Sequence, residues 1–286
     1  MAGLNGNNSK ISEHLGLSQD VCIMGVLNVT EDSFSDGGDF IALEASVDRI
    51  KQIYQEGAKI LDIGAESSRP GSLPVSSDIQ IQRILPVLQE INKLNLDQLS
   101  VSIDTTHSKV ASLALHQGAT IVNDITAGQS DPDMLPMVAD TGASIILMHM
   151  QGVPKNMQEA PHYDDVVSKV RVFLSRRIDA ALDLGISEQN IAIDPGIGFG
   201  KTLRHNLELL GGLADIASLG PPVVLGASRK RFLGTLCDTS PPSDLVGATC
   251  ATTILGLNAG AKIFRVHDVA QNYQALRVWQ SLVTIS

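Results

Sequence analysis

Aromatic residues are scarce: Phe, Trp and Tyr make up 3% of the 286 residues. A core built almost without them must be aliphatic, drawn from Ile, Leu, Val and Ala. There are three cysteines (Cys22, Cys237, Cys250), an odd number with no CxxC spacing. That argues against a disulfide framework and for buried or bystander thiols in a reducing cytoplasm. No apolar run approaches the roughly 20 residues of a membrane span, so a membrane partner is not expected. Basic residues are in the minority, 21 against 31 acidic, for a formal charge of −10. Neutralising a phosphate backbone needs clustered Lys and Arg, so nucleic acid is not an expected partner either. The GxxxxGK[ST], GxGxxG and GxSxG motifs are missing, and IDPGIGFGK (193–201), although glycine-rich, satisfies none of them. Residues 1–20 hold Asn, Ser, Gly and Lys without an apolar signal core and read as a polar, flexible leader.

What is present is a repeat. Eight β-prone runs lie at about 21–30, 57–67, 99–105, 119–126, 143–150, 190–198, 221–228 and 261–268. Their ends carry Asn28, Ser68 with Arg69, Asp104, Asn123, His149, Asp194, Ser228 with Lys230, and Arg265 with His267. Strands alone would need only Val, Ile and Leu. Polar groups at one end of every strand imply one shared site. Stretches of helical spacing separate the runs, at 42–56, 78–94, 107–117, 131–141, 163–184, 203–218, 244–258 and 270–283. Gly57, Gly118, Gly142, Gly185, Gly220 and Gly260 each stand just before a strand, where a helix C-terminus takes glycine.

Strands alternating with helices predict parallel pairing, because each crossover returns the chain to the same end. Eight repeats without a linker predict one α/β domain over 21–286, an eight-stranded parallel (β/α)8 barrel of TIM type, with its site at the C-terminal strand ends. An open doubly wound sheet is the alternative, but it gathers its ligand at one crevice.

The chemistry at the tips is that of an anion site beside carboxylates that call for donors. Ser228-Arg229-Lys230 follows the seventh run, and Arg265 and His267 share one face of the eighth. Loops after strands seven and eight of barrels often hold phosphate. Asp104, Asp194 and Asn123 end their runs, and Asp62 sits inside its own. A carboxylate aimed into a partly dry pocket needs a donor, such as two adjacent N–H groups of an amidine or guanidine edge, or a neighbouring Arg or Lys. Residues 28–38 and 64–72 are loops able to close over a ligand. His149 has no metal-ligand spacing around it, Met148 and Met150 suit packing, and Lys230 among arginines reads as a cation rather than a Schiff-base lysine.

Several strings together resemble the dihydropteroate synthase family: MGVLNVTEDSFSDGG (24–38), DIGAESSRPGS (62–72), SIDT (102–105), VNDI (122–125), LMHMQG (147–152), DPGIGFGK (194–201), GASRKRFLG (226–234) and RVHDV (265–269). They span nearly all of the chain beyond residue 20, in the family's order. The resemblance implies a cytoplasmic barrel enzyme, a homodimer, that joins p-aminobenzoate to 6-hydroxymethyl-7,8-dihydropterin pyrophosphate with Mg²⁺ and is a target of sulfonamides. It implies that Asp104, Asn123, Ile125, Met148, Asp194, Lys230 and Arg265 bind the pterin. It further implies that Asn28, Arg69, Arg265 and His267 hold the pyrophosphate, with Asn28 on Mg²⁺. Thr30, Phe34, Ser68, Arg69, Pro70, Phe199 and Ser228 would surround p-aminobenzoate, and Lys230, Arg265, Asp104 and Asn28 would be catalytic. Two positions depart from the family: Ala65 and Ser68 stand where GGESTRPG has Gly and Thr. Ala65 puts in doubt any conformation there that demands glycine. A dissociative reaction, pyrophosphate leaving first, fits the lack of an obvious Ser or Cys nucleophile. The alternative function is the pterin-binding methyltransferase domain of corrinoid systems, which has no use for a benzoate pocket.

Overall fold

The computed structural model describes residues 21–29, 39–67, 71–239 and 241–283. Eight apolar runs become parallel strands: β1 (Cys22–Asn28), β2 (Ile60–Gly64), β3 (Ser100–Asp104), β4 (Ile121–Asp124), β5 (Ser144–Met148), β6 (Ile191–Asp194), β7 (Val224–Leu225) and β8 (Ile263–Val266). Their order is β6-β5-β4-β3-β2-β1-β8-β7, and a parallel bridge from Ile193 to Val223 joins the two ends. The sheet therefore closes as a barrel, as the polarity of nearly every strand tip predicts, and the open-sheet alternative falls.

Period-two alternation sorts each strand's side chains. Outward residues such as Ile23, Leu61, Ile63, Val101, Ile103, Ile145, Leu147, Ile191, Ile193 and Phe264 pack under the helices in the large aliphatic core. Inward residues Cys22, Met24, Ile60, Ile121, Ile146, Ala192, Val224 and Ile263 form a separate, smaller cluster that plugs the barrel. The helices are α1 (Asp39–Gln55), α2 (Ser77–Ile91), α3 (Ser108–His116), α4 (Met134–Thr141), α5 (Val166–Asp183), α6 (Leu203–Gly211), α7 (Leu213–Ala217), α8 (Arg231–Cys237), α9 (Val246–Asn258) and α10 (Val269–Val283). The six glycines before the strands all have positive φ, from 68° to 107°.

Three local features differ from the sequence reading. The helix expected over 203–218 is split at Gly212, where a Cβ would stand 2.7 Å from a methyl of Val167 on α5. Helix α8 is an unexpected addition between β7 and β8, and β7 has only two residues. Helix α9 packs on the barrel: a methyl at Gly256 would meet Leu225 at 2.6 Å and Phe264 at 2.9 Å. Glycine there lets α9 lie directly on β7 and β8. No described helix is long and apolar enough to cross a membrane.

Candidate active site

Moving along the strands, the inward positions change from apolar to charged. Asp62 follows Ile60 by one inward step on β2, with Ser102 and then Asp104 beside it on β3, Asn123 on β4, Asp194 on β6 and Arg265 on β8. Arg265 ties this layer together. Its Nε donates to Asp62 Oδ2 at 2.7 Å and its Nη2 to Asp104 Oδ2 at 2.7 Å. Asp62 is fully buried, and it also accepts from the Ser102 hydroxyl at 2.7 Å and Asn123 Nδ2 at 3.2 Å. Such satisfaction is what permits a charge in a barrel interior.

One guanidinium serves two carboxylates, so negative charge is in excess. Burial raises the Asp104 pKa; Arg265 opposes this, Asp62 adds to it, and the result is about 7. Burial alone would lower Arg265, but Asp62 and Asp104 outweigh it and hold the guanidinium firmly protonated.

A second group forms where β6 runs into a glycine turn. Asp194 Oδ1 accepts from Gly196 N at 2.6 Å. Gly196 has φ +66°, and a Cβ on it would lie 1.8 Å from the His149 carbonyl oxygen, so no side chain fits there. Burial raises the Asp194 pKa, against the pull of Lys230, the Gly196 N–H and Arg265. Lys230 lies over the Phe199 ring, Nζ 4.5 Å from its centroid, and donates to Ile197 O. Burial lowers its pKa to about 8, with Asp194 opposing and Arg265 adding to the fall. Next to it, Ser228 Oγ sits 3.1 Å from His267 Nδ1 and accepts from the His267 N–H at 3.2 Å. Arg229 turns away from the mouth to a two-pronged pair with Asp268 at 2.5 and 3.0 Å.

The barrel thus brings Asp104, Asn123, Asp194, Lys230, Arg265, Ser228 and His267 to one mouth. Met148 and Phe199 share an apolar cluster with Met157, flanked by Ile125 and Met150. Asn28 ends β1 and is exposed. Thr30, Phe34, Ser68, Arg69 and Pro70, like the 1–20 leader, lie outside the described residues.

His149 requires a correction. It follows the inward Met148, so it falls on the outer side of the wall, buried against Phe173 of α5 with ring centroids 4.9 Å apart. It does not belong to the mouth. Asp62 and Lys201 are the functional candidates that sequence reasoning left without a role. An acid inside the apolar run ILDIG, and a lysine directly after alternating glycines, were the available signals.

Among the described residues, no group of three or more His, Cys, Asp or Glu could hold a metal ion. Asn28 offers a single neutral oxygen at a strand end. That donor set fits Mg²⁺, which keeps waters and takes its other ligands from phosphate oxygens.

The excess charge at Asp104 has a consequence for stability. Its folded pKa is raised from 3.8 to about 7, so its contribution is fully present at acid pH and is lost as pH rises through that window. The stability of the wild type relative to Asp104→Asn, from urea unfolding, should therefore fall between pH 4 and pH 7.5. A difference that stays flat across that range would refute the excess buried charge.

Comparison with known proteins agrees with this geometry. The model of the "Pterin binding enzyme" family matches residues 24–267. The dihydropteroate synthase of Synechocystis sp. is 42% identical over 260 residues, covering 91% of this chain and 89% of that one. Among solved structures, Xanthomonas albilineans dihydropteroate synthase with 4-aminobenzoic acid superposes with a TM-score of 0.85 at 42% identity, covering 92% of this chain and 93% of that one. Yersinia pestis dihydropteroate synthase in a sulfonamide drug complex gives 0.86 at 36% identity, covering 93% and 95%. The relatives named are synthases, and none of these findings favours methyl transfer to a corrinoid. From fold, mouth and kinship together, the chain belongs to the dihydropteroate synthase family of pterin-binding enzymes.

Proposed function

We propose that this chain condenses p-aminobenzoate with 6-hydroxymethyl-7,8-dihydropterin pyrophosphate, giving 7,8-dihydropteroate and pyrophosphate. The observation that carries the reading is the buried layer Asp62–Arg265–Asp104 with Asn123, Asp194 and Lys230 around it. It is a set of acceptors and flat donors suited to a bicyclic heterocycle beside an anion. The 4-aminobenzoic acid bound to the Xanthomonas relative supports the second substrate. The sulfonamide on the Yersinia relative supports sulfonamides as competing ligands.

In this reading the ionised Asp194 accepts from the guanidine-like edge of the pterin, and Asp104, Asn123 and Lys230 meet its other heteroatoms. Ile125 and Met148 line the ring's apolar sides. Arg265, steered by two carboxylates, lays its guanidinium against the ring. His267, Asn28 and Arg69 take the pyrophosphate. Ser228, Phe199, Thr30, Phe34, Ser68, Arg69 and Pro70 surround p-aminobenzoate. Asn28 would hold Mg²⁺, which supplies charge neutralisation for the departing pyrophosphate.

No nucleophilic side chain is called upon. Burial pushes the thiol of Cys22 up to about 12, and it lies in the apolar plug beneath the site. In this reading the reaction runs dissociatively. Pyrophosphate departs first, the electron-rich dihydropterin spreads the positive charge, and Asp62, Asp104 and Asp194 face it with negative potential. The weak aniline then attacks and needs no strong base.

Association as a homodimer is part of the same proposal. Leu255 on α9 and Val278 and Leu282 on α10 are 59%, 64% and 62% exposed, and Val278 and Leu282 share a helical face. Sedimentation at micromolar concentration should give twice the chain mass of 30.4 kDa, and a monomer mass would overturn the pairing.

Calorimetry tests the substrates. The pterin pyrophosphate with Mg²⁺ should bind first, and p-aminobenzoate only afterwards. Asp194→Ala should weaken pterin binding by roughly 2–5 kcal/mol, the usual cost of truncating a buried charged partner. Unchanged binding in that variant would remove Asp194 from the site. Single-turnover kinetics test the order of steps: with the pterin substrate alone, pyrophosphate should be released slowly. No release at all, with a rate that tracks nucleophile strength, would argue for direct displacement.

A further inference from the structure

Lys201 is 2% exposed, yet among the described residues no carboxylate touches it. Its three donors meet three neutral acceptors: His149 Nδ1 at 3.0 Å, Gly196 O at 2.9 Å and Phe199 O at 3.0 Å. An ammonium donating to Nδ1 requires His149 to be neutral with its proton on Nε2. Burial, then the charge of Lys201, pushes His149 down to about 3, in keeping with that form.

The turn that Lys201 grips is unusual in its hydrogen bonding. Five consecutive carbonyls each accept from a side chain. Gly196 and Phe199 accept from Lys201, Ile197 from Lys230, Gly198 from Gln158 at 2.6 Å, and Gly200 from Tyr163 at 3.0 Å. Glycines at 196, 198 and 200 all have positive φ, so side-chain bulk on these residues cannot hold the turn. Side chains that arrive from elsewhere hold it instead. The lysine of the mouth and the lysine behind it are thus attached to the same few peptide units.

We propose that Lys201 is a positioning residue for Lys230 and Phe199: by pinning the Gly196 and Phe199 carbonyls it fixes the turn whose intervening carbonyl and ring hold Lys230 at the mouth. The inference rests on the reading that Lys230 meets the pterin. It adds an electrostatic consequence. The groups acting on Lys230 are Asp194, which favours its proton, and Arg265, which disfavours it. Those acting on Lys201 are Lys230 and, in the opposite sense, Asp194, with burial the largest influence; its pKa falls to about 7. Lys201 thus gives up its proton before Lys230 does, and removing Lys201 should leave the proton on Lys230 in place.

The test is Lys201→Met in the full chain, assayed from pH 6 to pH 10 beside the wild type with the pterin pyrophosphate, Mg²⁺ and p-aminobenzoate. Displacing the turn should lower kcat/KM for the pterin roughly tenfold or more, since small misplacements at a site are costly. The KM for p-aminobenzoate should rise as well, because the Phe199 ring of its pocket rides on the same turn. The basic limb of the pterin kcat/KM profile should stay in place, because Lys201 is already largely neutral where Lys230 titrates. Pterin kcat/KM within about twofold of wild type, an unchanged KM for p-aminobenzoate, or a basic limb that moves would overturn the proposal. A wild type that fails to bind the pterin would overturn the proposed function, and this inference with it. If the Met variant does not fold, His149→Leu and His149→Asn replace it. Leu removes one acceptor of Lys201, and Asn returns an oxygen at the position of Nδ1. Leu should lower pterin kcat/KM, and Asn should recover most of the loss. Equal values in both variants and the wild type would count against the proposal.

Discussion

One guanidinium held between a fully buried carboxylate and a half-buried one organises this protein. Arg265 stands on β8, Asp62 on β2 and Asp104 on β3, so their contacts cross the barrel lumen and span the strand that lies between. Each ion alone would be prohibitive in that interior. Together they leave one unit of negative charge, which Ser102 and Asn123 only partly satisfy. A layer with surplus acceptors is primed for a ligand rich in N–H donors. The apolar plug beneath it, from Cys22 to Ile263, keeps water from reaching the layer from below and so preserves the strength of every polar contact above.

The second constraint is the glycine turn after β6. It carries Asp194 at one end and Lys201 at the other, and it reaches Lys230 across the mouth. Glycine is obligatory at 196, where the chain passes the His149 carbonyl too closely for a side chain. The turn and the charged layer share Asp194 and Arg265 as electrostatic neighbours. Acidic recognition on one side and cationic recognition on the other are therefore set by the same rigid barrel wall rather than by independent loops.

Much of this was legible in the chain, for physical reasons. Strand parity and helix-ending glycines reveal a closed parallel barrel, because alternation and φ preference are local. Asp104, Asn123, Asp194, Arg265 and Ser228 could be assigned to one mouth because a barrel sends all strand ends the same way. His149 misled because it stands one residue past an inward methionine, and a shift of one reverses the face. Asp62 stayed without a role because its partner lies 203 positions away. Lys201 was hidden in a string whose glycines drew attention to nucleotide loops. Helix α8 escaped because RFLGTLC is short and interrupted by glycine. The split at Gly212 depends on the approach of Val167, which no local pattern reveals.

The same geometry bears on the choice of chemistry. A displacement in which the amine pushes out pyrophosphate would benefit from a base near the nucleophile. In the described mouth the carboxylates are tied to Arg265 or to the turn, Lys230 is a donor, and the imidazole of His267 is engaged with Ser228 Oγ. What the mouth does offer is acceptors around a cation and donors around an anion. Those are the two fragments produced when a carbon–oxygen bond to pyrophosphate ionises. Preorganised charge of this kind acts without rearrangement at the moment of bond breaking. For the proposed reaction, a site so built would lower the cost of separating the fragments, and a weak nucleophile such as an aromatic amine would then suffice.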